Sequence, residues 1–525
     1  MSFSGGSYPP LNDGKLTLAA DLLKAKIWIY LYWSLYIEDI VSYISAQYTE
    51  VFMTDRNGKY KKLLGNTMIF GVGQFLTKII GFLLVIIYTH FMSEKELSTS
   101  QLVYQTVNLL VPLVTFSMRD AVIRFGMDKG FDNKKVYTNA CAALFLGMAV
   151  LAVASPLIKL NDKIGQFTLL LYIYCYFSCF RDITSTFTRS RGMVKLFMVD
   201  GVLTTIVQVL CNVIFIIGLK LSVNGYILSF IISDLCSIVF LFLMGGTARF
   251  ADTRYLDAKV MRKMLSFSVW LIPTYILWWV TSSSDQWFIV HMVGDVENGI
   301  YGISYKLPTL LMFVTTMFYQ AWQMSSIEER DNKGLGKFYQ TVFGSYSSLL
   351  FIAAAGIILF VKPLTFILTG DGSDGKRFYE AFAFTPILVI SMVFQCFCQF
   401  LSSVYTTTKR SVNSLTTALV AALTNIVLNL LLIRKFGLWG AAIATAFSYV
   451  ACFLVRLWDV RRYIWFKVNL ARFGLNSIIV MIMSFIAAKE PPLKYVWLSV
   501  LFVIIASINF GNVVKTVGRL LKRRR

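Results

Sequence analysis

The chain has 525 residues, of which 57% are hydrophobic and only 15% are charged, whereas about 25% of residues are charged in soluble domains. Its mean hydropathy is +0.65, and 50 Lys and Arg against 28 Asp and Glu give a net charge of +22. This composition excludes a soluble globular protein, and it does not indicate nucleic-acid binding, since in a membrane protein excess positive charge in loops sets orientation.

The first 52 residues differ from the rest of the chain. Residues 27–48 are aromatic and apolar, but Glu38 and Asp39 lie in the middle of the run, where each charge would cost a few kcal/mol inside a bilayer. We therefore expect residues 1–52 to be an extension with an interfacial helix. The alternative is that the natural protein starts at Met53 and that the upstream residues are an artefact of annotation.

From residue 63 onward, apolar runs of about 20 to 28 residues follow one another, each long enough to cross a hydrocarbon core of about 30 Å as a helix. Because lipid offers no partner to an unpaired backbone amide, we predict an all-α polytopic membrane protein with about 14 transmembrane helices. The predicted spans are 63–91, 100–125, 136–159, 165–188, 195–219, 223–246, 264–291, 299–323, 338–362, 378–407, 411–433, 437–458, 470–488 and 494–512.

The loops between these spans differ in charge. If the segment before the first span is cytoplasmic, the cytoplasmic loops carry roughly three times as many Lys and Arg as the outer loops, as the positive-inside rule requires. We therefore expect a multi-pass protein of the cell membrane with both termini in the cytoplasm. The basic tail that ends at Arg525 would then face anionic lipid headgroups.

The chain also contains a weak internal repeat. Spans one and two align with spans seven and eight at a shift of about 200 residues, and Gly225 and Ser233 have the same spacing as Gly440 and Ser448. The repeat predicts two six-helix lobes of the same orientation. The expected divisions are an N-lobe of spans 1–6 at 53–246, a connector at 247–263, a C-lobe of spans 7–12 at 264–459, and spans 13 and 14 with the basic tail at 460–525.

Three segments carry a family resemblance. They are KKLLGNTMIFGVGQFLTKIIGFLLVIIYTHFMSEKELSTSQLVYQTVNLLVPLVTFSMRDAVIRF at 61–125, SSDQWFIVHMVGDVENGIYGISYKL at 283–307, and residues 425–446. The chain after Met53 resembles Wzx-type polysaccharide flippases of the multidrug/oligosaccharidyl-lipid/polysaccharide (MOP) exporter superfamily. Residues 1–52 are not part of the family pattern, and Trp278 and Trp279 make span seven more aromatic than expected.

The resemblance implies a V-shaped core like that of the multidrug and toxin extrusion (MATE) transporters, with spans 13 and 14 added at the periphery. It implies a transporter rather than an enzyme, without catalytic residues, cofactor or metal. The expected cargo is an undecaprenyl-diphosphate-linked oligosaccharide, moved from the inner to the outer leaflet by alternating access. Membrane lipids and polysaccharide-assembly proteins are the expected partners of a monomeric chain.

Ionisable side chains inside spans are candidates for function, because burying them is costly. Lys78 lies midway along span one, and the family resemblance suggests a contact with substrate phosphate. A structural ion pair is the alternative.

Arg119, Asp120 and Arg124 lie in the last two turns of span two. The spacing of Asp120 and Arg124 predicts an intrahelical pair, which leaves Arg119 for a partner or a diphosphate. Snorkelling of either arginine to headgroups is the alternative.

Further candidates lie in spans four to eight. Arg181 lies two turns inside span four and is expected to face the same cavity as Arg119. Asp285 in span seven and Lys306 in span eight reach the same predicted depth, at a rise of about 1.5 Å per residue. We expect them to approach within ion-pair distance or to share a cavity, and an ion pair would be either permanent or released by substrate phosphate. The substrate-binding set is thus Lys78, Arg119, Arg124, Arg181 and Lys306, and the gating set is Asp285, Lys306 and Asp120.

Two other functions remain open. A drug or cation antiporter of the same superfamily would need carboxylates in its cavity and few basic residues. A membrane-bound glycan polymerase or ligase would carry a large outer loop with catalytic side chains, whereas the longest outer segment, 362–377, contains TGDGSDGKR, which is typical of turns. The basic residues inside the spans favour the flippase.

Overall fold

Helices form almost all of the regular structure in the residues that the computed structural model describes: 80–128, 130–328, 334–370, 372, 375–408 and 410–522. All of them lie in one compact unit, Ile69–Arg525. Residues 1–52 and Lys78 lie outside the described residues, so the expectations made for them stay predictions.

The helices are numbered here in chain order, starting with the described part of the first span. They are α1 Ile80–Phe91, α2 Glu94–Val114, α3 Met118–Gly126, α4 Asn133–Lys159, α5 Thr168–Ser190, α6 Val194–Asn212, α7 Ser222–Gly245, α8 Ala258–Ser268, α9 Ile272–Met292, α10 Asp295–Ser304, α11 Thr309–Glu328, α12 Leu335–Leu359, α13 Val361–Thr369, α14 Ala381–Thr408, α15 Ser411–Phe436, α16 Leu438–Val460, α17 Leu470–Lys489 and α18 Lys494–Lys522.

The all-helical membrane fold is confirmed. Among the described residues, ten helices are long and apolar enough to cross a membrane, or eleven if the bent pair α2 and α3 is one span. Helix α5 occupies the position of the predicted fourth span, and the broken pair α10 and α11 occupies that of the eighth. A multi-pass membrane protein follows from this arrangement.

A break at residues 115–117 divides the second span. Pro112 lies in the last turn of α2 and cannot donate a backbone hydrogen bond, and its carbonyl oxygen accepts the Ser117 amide at 2.9 Å. Phe116 and Ser117 have φ angles of 49° and 53°, a left-handed conformation that costs non-glycine residues about 1–3 kcal/mol each. Helix α3 then starts at an angle of 52° to α2, so the first turn of α3 lies at the bend.

Loops and helix ends from both halves of the chain meet at what we call the Glu94 end of the bundle. Lys163 pairs with Asp295 at 2.8 Å. The Arg377 amide donates to the Glu94 carboxylate at 2.5 Å, and the Arg377 guanidinium pairs with Glu297 at 3.3 Å. Hydrogen bonds to Glu380 and Glu297 raise the pKa of Arg377. These contacts close the Glu94 end.

The opposite end, which we call the Asp257 end, is built around the connector 247–263. Asp257 caps α8 by accepting from the amides of Lys259 and Val260, and it pairs with Lys135 of α4 at 2.8 Å. The hydrogen bond from Lys135 is the main cause that lowers the pKa of Asp257. The connector is therefore fixed against the start of α4.

Helix packing connects the two ends. Helices α5, α6 and α7 pack on one another, and α9, α14, α15 and α16 form a second group. Helix α2 joins the groups by packing on α9 and α10, while α17 and α18 pack on α12. The crossing of α2 and α10 depends on glycine: a Cβ at Gly299 would overlap the Glu94 carbonyl oxygen, and one at Gly302 would overlap the Gln101 amide.

Replacing Gly299 with alanine should lower the thermal unfolding temperature of the purified protein, because overpacking in a tight helix crossing costs about 1–3 kcal/mol. The matched control is Gly474→Ala in α17, where no atom lies within 4 Å of the new Cβ. That variant should be neutral or stabilised by about 1 kcal/mol, the helix propensity gained. Equal unfolding temperatures for the two variants would contradict the close crossing.

Candidate functional site

A cavity of about 650 Å³ lies between α2, α3, α5, α6 and α9. The bend at 115–117 opens this space, because it turns α3 away from the axis of α2. Its polar lining includes amides, hydroxyls and ionisable groups, and Tyr275 brings in a side chain from the second half of the chain. The described polar lining residues are Tyr104, Asn108, Thr115, Ser117, Arg119, Asp120, Ser178, Arg181, Asp182, Ser185, Asp200, Thr205, Gln208 and Tyr275.

The first turn of α3 brings one arginine and one aspartate into this cavity. Arg119 Nη1 lies 3.0 Å from Asp182 Oδ1 of α5, and the Arg119 side chain is 52% exposed. Asp120 accepts a hydrogen bond from the Tyr275 hydroxyl at 2.8 Å. The two neighbours thus bind different helices, as expected from a rotation of about 100° per residue.

Arg181 of α5 lies in a deeper cluster. Its Nη2 is 3.8 Å from Asp200 and its Nη1 is 3.5 Å from Asp234, and both carboxylates are buried. Its Nε donates to Ser237 at 3.1 Å. Asp200 also accepts hydrogen bonds from Ser185 and Ser237. One guanidinium is therefore shared by two buried carboxylates on α6 and α7.

The cavity as described is not a simple basic surface. Its lining contains two arginines, Arg119 and Arg181, and three carboxylates, Asp120, Asp182 and Asp200. Two positive and three negative charges give a net charge of −1 when all are ionised. Each arginine is held by a carboxylate, so an anionic ligand has to displace an existing partner.

The predicted pair between Asp120 and Arg124 was wrong. Asp120 binds Tyr275, whereas Arg124 is exposed and its guanidinium lies 4.3 Å from the Phe267 ring centroid. Helix α8 packs against α3 and places the Phe267 ring beside Arg124. The spacing of residues within one helix does not predict such a contact between helices. Arg124 is not among the described residues that line the cavity.

Asp285 of α9 lies in a separate hydrogen-bond cluster whose donors are all neutral groups. Its buried carboxylate accepts hydrogen bonds from hydroxyl and amide groups on the second half of the chain. The donors are Tyr301 at 3.0 Å, Tyr305 at 3.2 Å, Asn425 at 3.1 Å, Asn429 at 2.6 Å, and Thr445. These donors stabilise the anion without a basic residue, and a proton could bind the carboxylate in exchange.

The predicted ion pair between Asp285 and Lys306 was therefore wrong. Tyr305 reaches Asp285, and Lys306, the next residue, leaves the backbone in another direction. The helix is also broken at 305–308 between α10 and α11, so a depth calculated from a continuous rise of 1.5 Å per residue does not apply. Within the described residues Lys306 forms no ion pair.

One buried arginine escaped the sequence analysis. Arg456 of α16 has no exposed surface, and its five N–H groups meet only neutral acceptors on α14 and α15. The acceptors are Cys398 O, Ser402 Oγ, Ser414 O and Thr417 Oγ1, the last of which is shared by Nε and Nη2. Arg456 lies near the end of a predicted span, where arginine side chains commonly extend to the headgroup layer. The sequence therefore did not indicate that this arginine is buried between three helices.

No metal site is evident in the described part of the chain: it contains no group of three or more His, Cys, Asp or Glu side chains placed to hold an ion. The described cysteines are free thiols and mostly buried. The ionisable groups of the cavity can bind charged ligands or protons.

Comparison with known proteins identifies the fold. Residues 63–323 match the family described as "Polysaccharide biosynthesis protein". Lipid II flippase MurJ in an inward closed conformation is similar at a TM-score of 0.62, with 15% identity over 86% of this chain and 100% of that chain. No curated protein sequence matches the chain.

Multidrug resistance transporters of the MATE family are also similar. An inward-facing structure has a TM-score of 0.59 and 12% identity over 74% of this chain and 95% of that chain. An outward-facing structure has a TM-score of 0.54 and 15% identity over 76% of this chain and 95% of that chain. Both proteins are described as members of the MOP superfamily.

Replacing Arg181 with glutamine should destabilise the protein by about 3 kcal/mol, because two buried carboxylates lose their cation. Adding Asp200→Asn and Asp234→Asn to this variant should recover much of the loss, as measured by denaturant or thermal unfolding in detergent. Arg124→Gln is the control, since a ring contact near the surface is worth about 0.5–1 kcal/mol. Failure of the added substitutions to rescue would contradict the charge cluster.

A double-mutant cycle tests the Asp285 cluster. Asp285→Asn and Lys306→Gln should be additive in unfolding free energy within about 0.5 kcal/mol, because the two groups do not interact. The matched cycle of Asp285→Asn with Thr445→Val should show coupling of about 0.5–3 kcal/mol, since these side chains share a hydrogen bond. Strong coupling of Asp285 to Lys306, with no coupling to Thr445, would contradict the structure and support the ion pair that the sequence predicted.

Proposed function

We propose that the chain is a flippase of the MOP superfamily and that it flips an undecaprenyl-diphosphate-linked oligosaccharide from the inner to the outer leaflet for surface polysaccharide synthesis. The described cavity between α2, α3, α5, α6 and α9 is the proposed headgroup site. The polysaccharide family match supports a glycan cargo, and the similar MurJ is named a lipid II flippase.

The exposure of Arg119 is the observation that carries the proposal. Half of its side chain is accessible, and a single described carboxylate, that of Asp182, pairs with it at 3.0 Å. A planar guanidinium binds two phosphate oxygens at once. A diphosphate entering the cavity can therefore replace Asp182 at Arg119 without leaving a buried cation unpaired.

Arg181 has a different proposed role. Its contacts with Asp200, Asp234 and Ser237 hold the guanidinium in the cavity lining and tie α5 to α6 and α7 beside Arg119. The neutral lining, including Asn108, Gln208 and several hydroxyls, supplies partners for sugar hydroxyl groups. In this proposal Arg181 holds the helices that form the site, and Arg119 binds the cargo.

The remaining predicted contacts have unequal support. Lys78 stays a proposed phosphate contact on the strength of its depth in span one. Arg124 and Lys306 are not among the described lining residues of the cavity. We place them outside the headgroup site.

Alternating access is the proposed mechanism of transport. Contacts of Arg377 with Glu94 and Glu297 close the Glu94 end, and we propose that this end faces away from the cytoplasm, with both termini inside the cell. An outward-moving anion then gains about 2.3 kcal/mol per charge for each 100 mV of inside-negative potential. The membrane potential favours export of a diphosphate.

The proposed setting is the cytoplasmic membrane. The chain would work as a monomer and would receive its cargo from membrane-bound enzymes that build the lipid-linked sugar, with polysaccharide-assembly proteins taking it up on the outer side. The basic tail 515–525 supports contact with anionic headgroups on the cytoplasmic face.

A cation or drug antiporter is the second candidate. The net charge of −1 in the described cavity lining favours it, since three carboxylates exceed two arginines. The similar MATE structures are named multidrug resistance transporters. The transport assay below therefore includes an organic cation.

Reconstituted vesicles should move an undecaprenyl-diphosphate sugar between leaflets, measured by accessibility to an enzyme added outside. Arg119→Gln and Lys78→Gln should each lower the rate by about tenfold or more, equivalent to about 1.4 kcal/mol per tenfold. Arg254→Gln, whose side chain is 89% exposed outside the cavity, is the control and should keep the parental rate.

Two outcomes would contradict the flippase. Unchanged rates for both Arg119→Gln and Lys78→Gln would remove the phosphate route. Uptake of an organic cation driven by a proton or sodium gradient, without leaflet exchange of the lipid-linked sugar, would favour the antiporter.

A further inference from the structure

A second cavity of about 340 Å³ lies among α12, α17 and α18, on helices other than those that form the first cavity. It lies along residues 340–351 of α12 and at the start of α17, and Lys467 enters it from the chain that joins α16 to α17. No residue lines both cavities among those described. This second cavity is therefore a separate site.

The ionisable residues that line the second cavity are all basic. Lys467 and Arg472 are the ionisable residues in its described lining, which contains no carboxylate. Lys467 is exposed, and neither residue forms an ion pair within the described part of the chain. In contrast to the arginines of the first cavity, these two cations have not been neutralised by the protein.

Arg472 has an unmet hydrogen bond. One of its Nη atoms donates to the Ile508 carbonyl oxygen of α18, while its Nε is buried without a partner among the described atoms. A buried donor left unsatisfied costs about 1–3 kcal/mol, and more when it is charged. A ligand oxygen at Nε would remove that cost.

The first turn of α17 adds further donors. Asn469 caps the helix through the Arg472 amide, and the other first-turn amides are free of helical partners by geometry. Such a helix start favours an anion. Behind it, Asn476 and Asn509 exchange hydrogen bonds at 3.2 and 2.9 Å and form a polar floor.

The surroundings indicate a membrane interface. Trp458 and Trp465 are exposed, and guanidinium groups of Arg462 and Arg461 lie 3.8 and 5.6 Å from their ring centroids. Exposed tryptophan with basic residues is typical of the headgroup layer. After Asn509 the sequence adds Lys515, Arg519, Lys522 and three terminal arginines, a basic composition that favours anionic lipid.

We propose that the second cavity binds the phosphate of an anionic phospholipid, with Arg472 and Lys467 as its ligands and the start of α17 as a further donor. The acyl chains would lie along the apolar surfaces of α17 and α18, whose exposed residues include Leu475 and Ile478. This lipid joins α12 to the α17 and α18 pair at a place where the protein alone leaves a donor unpaired. The site is independent of the transported cargo.

The test uses the full-length purified protein and phosphatidylglycerol, with lipid binding followed by native mass spectrometry. The parent should retain one more phosphatidylglycerol than the double variant Lys467→Gln, Arg472→Gln, whose affinity should fall by about tenfold or more. The matched control Arg254→Gln, Arg262→Gln removes two exposed charges outside this cavity and should keep the lipid.

Three results would overturn the proposal. They are equal retention of zwitterionic phosphatidylcholine, equal loss of lipid in the control variant, and displacement of the lipid by millimolar inorganic phosphate, which would indicate a site for free phosphate. If the double variant does not fold, a phosphatidylglycerol with a photoreactive headgroup is crosslinked to the parent protein instead. Labelling within residues 461–476 supports the site, and labelling spread over other basic loops overturns it.

Discussion

A guanidinium inside a membrane has to be matched by acceptors, and this requirement organises the described structure. Arg119 is matched by Asp182 and Arg181 by Asp200 and Asp234, which ties α3 to α5 and α5 to α6 and α7. The cavity lies where these pairs meet. Burying their charged and polar groups in a tightly packed apolar core would cost free energy, so the helices stay apart around them. Charge pairing thus explains both the cohesion of the first half of the chain and the place where a charged ligand can enter.

Much of the fold could be predicted from the sequence, since apolar runs and the backbone's need for internal hydrogen bonds leave helices as the solution for such segments. Arg119 and Arg181, which the sequence analysis expected to face one cavity, both line the cavity between α2, α3, α5, α6 and α9. The role of these residues in binding stays a proposal.

Pairing partners could not be predicted in the same way. Asp120 turns to Tyr275 and Arg124 to Phe267, since residues brought close by tertiary packing compete with a neighbour four positions away. Asp285 is surrounded by hydroxyl and amide groups from α10, α15, α16 and the 305–308 break, donors that a count of charges overlooks. In both cases the misleading assumption was a straight helix whose charged residues seek only opposite charges.

Arg456 has a mechanical consequence. Its five N–H groups fasten α16 to α14 and α15, and sliding any one of these helices past the others would break several bonds at once in a medium without water to replace them. The three helices should therefore travel as a rigid body. Any large displacement would have to be absorbed by hinges elsewhere, and the irregular segments at 115–117 and 305–308 are the places where the helical hydrogen-bond ladder is already interrupted.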